Sequence, residues 1–175
     1  MTANSGTGAE DAALELLRQA DDAIVAGVDR ELPGWVERST ARILDAWADA
    51  GGADGPGRLD TGTRAQADRD AAVAGEVARA RVVADLRTLL ALDAAEQRAT
   101  PLQIVRTAHR EPTALLESLG VPHVVRDEFD ERSFPDDVYG LAPHTLGDLG
   151  DPDLGPLHLA WGMAKTRLLK VRRGE

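Results

Sequence analysis

Residues 64–97 read RAQADRDAAVAGEVARARVVADLRTLLALDAAEQ. Ala71, Ala72, Gly75, Ala78, Val82, Val83, Leu86, Leu89 and Leu90 recur at helical intervals and form one apolar line. Val73, Val77, Ala80, Ala84 and Ala91 form a second, smaller line opposite it. A helix that is apolar on two faces is normally buried between neighbours, so this stretch predicts a central helix. The small residues in its first half let another helix approach closely. No run in the chain alternates long enough to demand a sheet. The fold class that follows is all-α: a single helical-bundle-like domain of about four long helices, with short helices and turns inserted before the last.

Upstream, residues 1–8 are small and polar and are predicted to be disordered, leaving 9–175 as the domain. Ala13, Leu14, Leu17, Ala20, Ile24 and Val28 form the stripe of a first helix beginning near Ala9, with Glu10 and Asp11 suiting its positive end. Pro33 is expected to end that helix and to start a second, because a missing N–H costs nothing in a first turn. Val36, Thr40, Ile43, Trp47 and Ala50 line the second helix, and Trp35 and Trp47 are read as packing residues. Residues 51–62, GGADGPGRLDTG, form a flexible connector. No Gly-Lys-Ser/Thr follows its glycines and no strand precedes them, so it is not a phosphate loop.

Downstream lies the irregular segment 97–143, QRATPLQIVRTAHREPTALLESLGVPHVVRDEFDERSFPDDVYGLAP, which holds both phenylalanines and the only tyrosine. Thr100 with Gln103 is a capping-box pattern with Pro101 at the first helical position, opening a short helix through His109. Pro112 interrupts and starts another, which ends at Gly120 as a C′ glycine. Residues 121–125 are extended, and 126–134 form one or two helical turns with Phe129 and Phe134 facing inward. Pro135-Asp136-Asp137 is expected to be a turn or an N-cap leading into Val138–Leu141. Residues 144–155 are turn-rich, and a last helix spans about 153–172 with Leu154, Leu157, Trp161, Ala164 and Leu168 on one stripe. Gly162 inside it predicts close contact with a neighbouring helix. His158 and Lys165 flank Trp161 at helical spacing, which allows a cation–π contact.

Composition excludes several chemistries. The net charge of −10 argues against a nucleic-acid role, which wants a basic face. No cysteine is present, which removes disulfides, thiolate catalysis, Cys-ligated zinc and iron–sulfur clusters. The start MTANSGTG lacks the marks of a secretory signal, and no apolar run approaches the ~20 residues needed to span a bilayer. A cytoplasmic protein with no cofactor and no metal is expected. Dinucleotide, Walker, nucleophile-elbow and His-Glu-x-x-His patterns are all missing, and no histidine is preceded three residues earlier by glutamate, which excludes a di-iron bundle.

The one candidate constellation lies in 97–143. Arg98, Arg106 and Arg110 stand opposite a set of acids that includes Asp127 and Asp136, with Tyr139 nearby. Arg106, His109 and Arg110 share a face at i, i+3, i+4 spacing. One reading is a pocket in which the arginines fix an anion while a carboxylate or His109 handles a proton. The other is a set of ion pairs and caps that pins irregular backbone to the helices. The second is the stronger expectation.

The pieces Gln97-Arg98, Pro101-Leu102, Val105-Arg106, Pro112-Thr113, Gly120-Val121-Pro122, Arg126-Asp127, Phe134-Pro135-Asp136-Asp137, Tyr139-Gly140-Leu141 and Trp161-Gly162 resemble a family of uncharacterised actinobacterial proteins. The Arg-, Ala- and Gly-rich composition also suits a GC-rich genome. That resemblance brings no known activity and implies no catalytic residue. The expected function is a non-catalytic interaction or adaptor protein that self-associates, with a protein partner or itself as the ligand. A small-molecule or anion site is the alternative, and a nucleic-acid contact through the basic end of the last helix ranks below both.

Overall fold

The computed structural model describes residues 5–51 and 59–175. Its helices are, in order, α1 (Ser5–Gly51), α2 (Thr61–Leu90), α3 (Pro101–Arg106), α4 (Arg110–Ser118), α5 (Glu128–Ser133) and α6 (Leu154–Arg173), with 3₁₀ turns at Thr107–His109 and Leu146–Leu149. No strand occurs among the described residues, and the fold is all-α. Three helices are long, at 47, 30 and 20 residues, rather than four.

The difference arises at Pro33, which does not break the chain but lies inside α1. An internal proline forfeits one helical hydrogen bond and costs about 3 kcal/mol. The stripe continues through it: Ile24, Val28, Leu32, Trp35, Val36 and Leu44 are all buried. Each such side chain contributes about 1.5–3 kcal/mol on burial, which outweighs the defect. α2 meets the helix at this point. A Cβ on Gly75 would lie 2.9 Å from the Pro33 carbonyl oxygen and 3.1 Å from its Cα, so only glycine permits this approach. Gly27 does the same for α6, since a Cβ there would collide with Leu154. α1 thus carries α2 and α6, and α4 packs on both α1 and α2.

The helix also begins earlier than expected, at Ser5 rather than Ala9; the reading of residues 1–4 lies outside the described residues, as does that of 52–58 in the connector. α2 starts at Thr61 because Asp60 caps it, accepting from the Gly62 and Thr63 N–H groups at 2.9 and 3.0 Å. It stops at Leu90 rather than Gln97. Asp93 accepts from Ala95 N–H at 2.9 Å, a local turn that competes with the helix. The buried Gln97 amide donates to the carbonyl of Leu92 at 3.1 Å.

The interior has two clusters. The larger joins α1, α2 and α6 through residues such as Ile24, Leu86 and Trp161. The smaller groups Leu44, Ala67, Leu116, Val121, Tyr139 and Leu141, so residues from the irregular segment cover the end where α1 finishes and α2 begins. Phe129 takes no part: it is 72% exposed, contrary to the inward position expected. α5 is less than two turns long and buries no residue, so its phenylalanine rides on the solvent side. Pro112 likewise does not interrupt. α4 begins at Arg110, placing Pro112 in its first turn, and the break from α3 is the 3₁₀ turn instead.

Candidate functional site

The expected capping box forms: Thr100 accepts from Gln103 N–H at 3.4 Å, and the Gln103 side chain accepts from Thr100 N–H at 2.8 Å. That start aims Arg106, at the end of α3, towards the turns that follow α5. Its Nε donates to the Pro143 carbonyl at 3.2 Å and its Nη2 to the His144 carbonyl at 3.3 Å. The guanidinium stands 5.1 Å from the centre of the Phe134 ring. Arg126 donates to the Phe134 carbonyl at 2.7 Å. Both arginines therefore hold backbone.

Asp137 does the same with opposite polarity. It is buried, and its two oxygens accept from Leu141 N–H at 2.7 Å and Ala142 N–H at 2.8 Å. The Tyr139 hydroxyl donates to the Val121 carbonyl at 2.6 Å from inside the smaller cluster. Burial, and secondarily the Glu117 charge, push its pKa up, so it stays protonated. Asp127 is the N-cap of α5, accepting from Asp130 N–H at 2.8 Å.

Of the residues singled out from sequence, Arg106, His109 and Asp136 line one cleft of about 270 Å³ together with Phe134. Tyr139 and Asp127 do not reach it. Arg98 and Arg110 are exposed, and neither makes a side-chain hydrogen bond or ion pair among the described residues. The three arginines therefore do not converge. His109 donates from Nδ1 to the Arg106 carbonyl at 2.7 Å, which leaves the buried Nε2 without a partner among the described residues. Among the described residues no group of three His, Asp or Glu is placed to hold a metal ion, and no helix is long and apolar enough to cross a membrane.

Two exposed surfaces lie outside this segment, one of them the second line of α2, which was expected to pack against a neighbouring helix. The second apolar line of α2 is bare: Val73 is 63% exposed and Val77 53%, and Ala80 and Ala84 beside them are exposed too. On α6, Leu159 and Met163 are each 67% exposed and border a trough of about 810 Å³ floored in part by Gly162. Gly162 meets no neighbouring helix, since a Cβ there would touch nothing within 4 Å. The signal was present: Leu159 and Met163 are four residues apart and lie off the stripe of Leu154, Trp161 and Leu168.

The inner side of α6 is tied down. Trp161 Nε1 donates to Asp21 at 2.9 Å. Lys165 donates to the Gln97 carbonyl at 2.7 Å and stands 5.1 Å from the Trp161 ring centre, while His158 stacks on the same indole with centroids 6.2 Å apart. Burial lowers the pKa of both Lys165 and His158. It raises that of Asp21 to about 6, against the opposing effect of the Trp161 bond and with a smaller contribution from Asp22. The chain matches no protein-family model, no curated protein and no solved structure.

Proposed function

We propose that this is a non-catalytic interaction protein that self-associates through the outer face of α2. The observation that carries the reading is the bare line Val73, Val77, Ala80, Ala84, about 17 Å long at the helical rise. A two-fold antiparallel pairing of α2 with its copy, centred between Val77 and Ala80, sets Val77 against Ala80 and Val73 against Ala84. Large side chains then meet small ones, as a self-complementary interface requires. The same register brings Asp70 opposite Arg87, so the flanking charges are complementary. The cysteine-free, acidic chain suits a cytoplasmic setting for such a protein.

A strip this short supports a weak dimer, so sedimentation velocity over about 1–100 μM is the informative measurement. Val77→Glu should give a monomer with unchanged helicity and thermal stability, because the position is exposed. Arg87→Asp should weaken the dimer, and adding Asp70→Arg should restore it. A wild-type monomer at the top concentration, or a dimer indifferent to Val77→Glu, overturns the proposal.

A second reading, a small-molecule site in the cleft of Arg106, His109 and Asp136, draws support from the unpartnered His109 Nε2. It requires a thermal shift with a member of a metabolite and anion panel that His109→Ala abolishes.

A further inference from the structure

The outer face of α6 differs in charge from the rest of the chain. Between Leu154 and Arg173 there are five basic side chains and no acid, and both lysines of the protein lie there, in a chain of net charge −10. Two of the five are engaged. Arg172 pairs with Glu10 at 2.8 Å and Asp93 at 2.7 Å, and Lys165 is held by Gln97 and Trp161. Arg167, Lys170 and Arg173 have no acidic partner within 4.0 Å among the described residues.

Helical spacing orders what remains. Leu159, Met163, Arg167 and Lys170 follow one another at intervals of three or four, so they run along one face over about 17 Å. The first half of that face is apolar and the second half cationic. Gly162 leaves the trough open beside Met163, and Thr100 forms part of its wall; Glu175, beyond Lys170, is the single acid of its lining.

We infer that this trough docks an acidic amphipathic helix of a partner protein. Apolar residues of the partner at i and i+4 seat on Leu159 and Met163, and its carboxylates meet Arg167 and Lys170. A second copy of α6 does not satisfy the surface. Laid parallel it opposes like charges, and laid antiparallel it puts each basic end over the other's apolar end. The face is also separate from the bare line of α2, so it stands whether or not the protein dimerises.

The test is fluorescence anisotropy of the full chain with a labelled synthetic helical peptide, leucine on one face and glutamate on its flanks. A peptide with lysine for every glutamate, oleate and a single-stranded oligonucleotide serve as comparisons. The acidic peptide should bind saturably, and more weakly as salt is raised. Met163→Glu, and separately the pair Arg167→Glu with Lys170→Glu, should each weaken it by about tenfold or more. Gly162→Leu should block binding with no loss of thermal stability, because the added side chain enters empty space. Val77→Glu should bind as wild type does, which separates this surface from the proposed dimer; loss of binding in that variant overturns the α6 assignment. Equal binding of the lysine peptide, binding of oleate or the oligonucleotide alone, or unchanged affinity in the Met163 and Gly162 variants also overturns it.

Discussion

Residues 97–143 and the outer face of α6 differ in both composition and what their side chains do. The first is dense in arginine and aspartate and holds the only tyrosine, yet Arg106, Arg126, Asp127, Asp137 and Tyr139 all spend their polar atoms on backbone groups. The second shows mainly leucine, methionine, glycine and two cations, and those groups have no partner among the described residues. Irregular chain packed against helices must have its N–H and C=O groups satisfied, and charged side chains do this well. A helix face, whose backbone is already satisfied, has no such need. Residue type alone therefore misleads, and the useful question is which side chains remain unoccupied.

The most direct way to break this contrast is at Asp137. Asp137→Ala leaves two amide groups without acceptors in a buried turn, each costing about 1–3 kcal/mol, so about 3 kcal/mol or more should be lost in urea denaturation. Asp136→Ala, one residue away and exposed, should change stability by no more than about 0.5 kcal/mol. Similar losses for the two would mean that the turn is not built around Asp137.

Glycine provides the next comparison, because one substitution should have opposite signs in two helices. Replacing a helical glycine by alanine where the methyl has room normally stabilises by about 1 kcal/mol. Gly162→Ala should do so, since nothing stands within 4 Å of the new methyl. Gly75→Ala should destabilise by about 1–3 kcal/mol, because the Pro33 backbone must move away. Thermal melts of the two variants decide it; a stabilised Gly75→Ala would show that α1 and α2 do not approach closely at the proline.

These same positions show what was legible beforehand. The helical class, the capping box at Thr100, the C′ glycine at Gly120 and the start of α6 follow from local chemistry, in which neighbouring residues decide the outcome. Pro33 was misread because its local penalty is overcome by a stripe that buries residues on both sides of it. Gly75 and Gly162 look alike in sequence and have opposite surroundings. The two-faced character of α2 was visible, but not that the fold covers only one face. For the candidate site, the capping role of Asp127 belongs to local rules. The pairing of Asp137 with Leu141 and Ala142 was hidden because adjacent aspartates in a turn look equivalent, and only the tertiary path decides which is buried. The convergence expected of Arg98, Arg106 and Arg110 required three-dimensional positions that spacing along a broken helix does not supply.

The smallest expected effect contrasts the two sides of α6. On its inner side, Trp161 donates to Asp21, which is half-buried between helices with Asp22 and Arg18 on α1 and Arg87 on α2 around the same cleft. Desolvation raises the Asp21 pKa from 3.8 to about 6. The folded protein thus holds this proton more tightly than the unfolded chain does. Stability from this group is present below pH 3.8, falls as pH rises and is lost above about 6. Because water still reaches part of the carboxylate, the effect is screened and amounts to about 1 kcal/mol. Asp21→Asn keeps an acceptor for the indole N–H and removes the charge. Its melting temperature should exceed that of the wild type at pH 7.5, and the gap should narrow at pH 4.5 and close below pH 3.8. Comparing the two proteins at each pH cancels the titration of the other carboxylates. A gap of the same size at both pH values would mean that the seam between α1 and α6 is open to water. The inner face of α6 would then be as unoccupied as the outer one, and the distinction between them would fail.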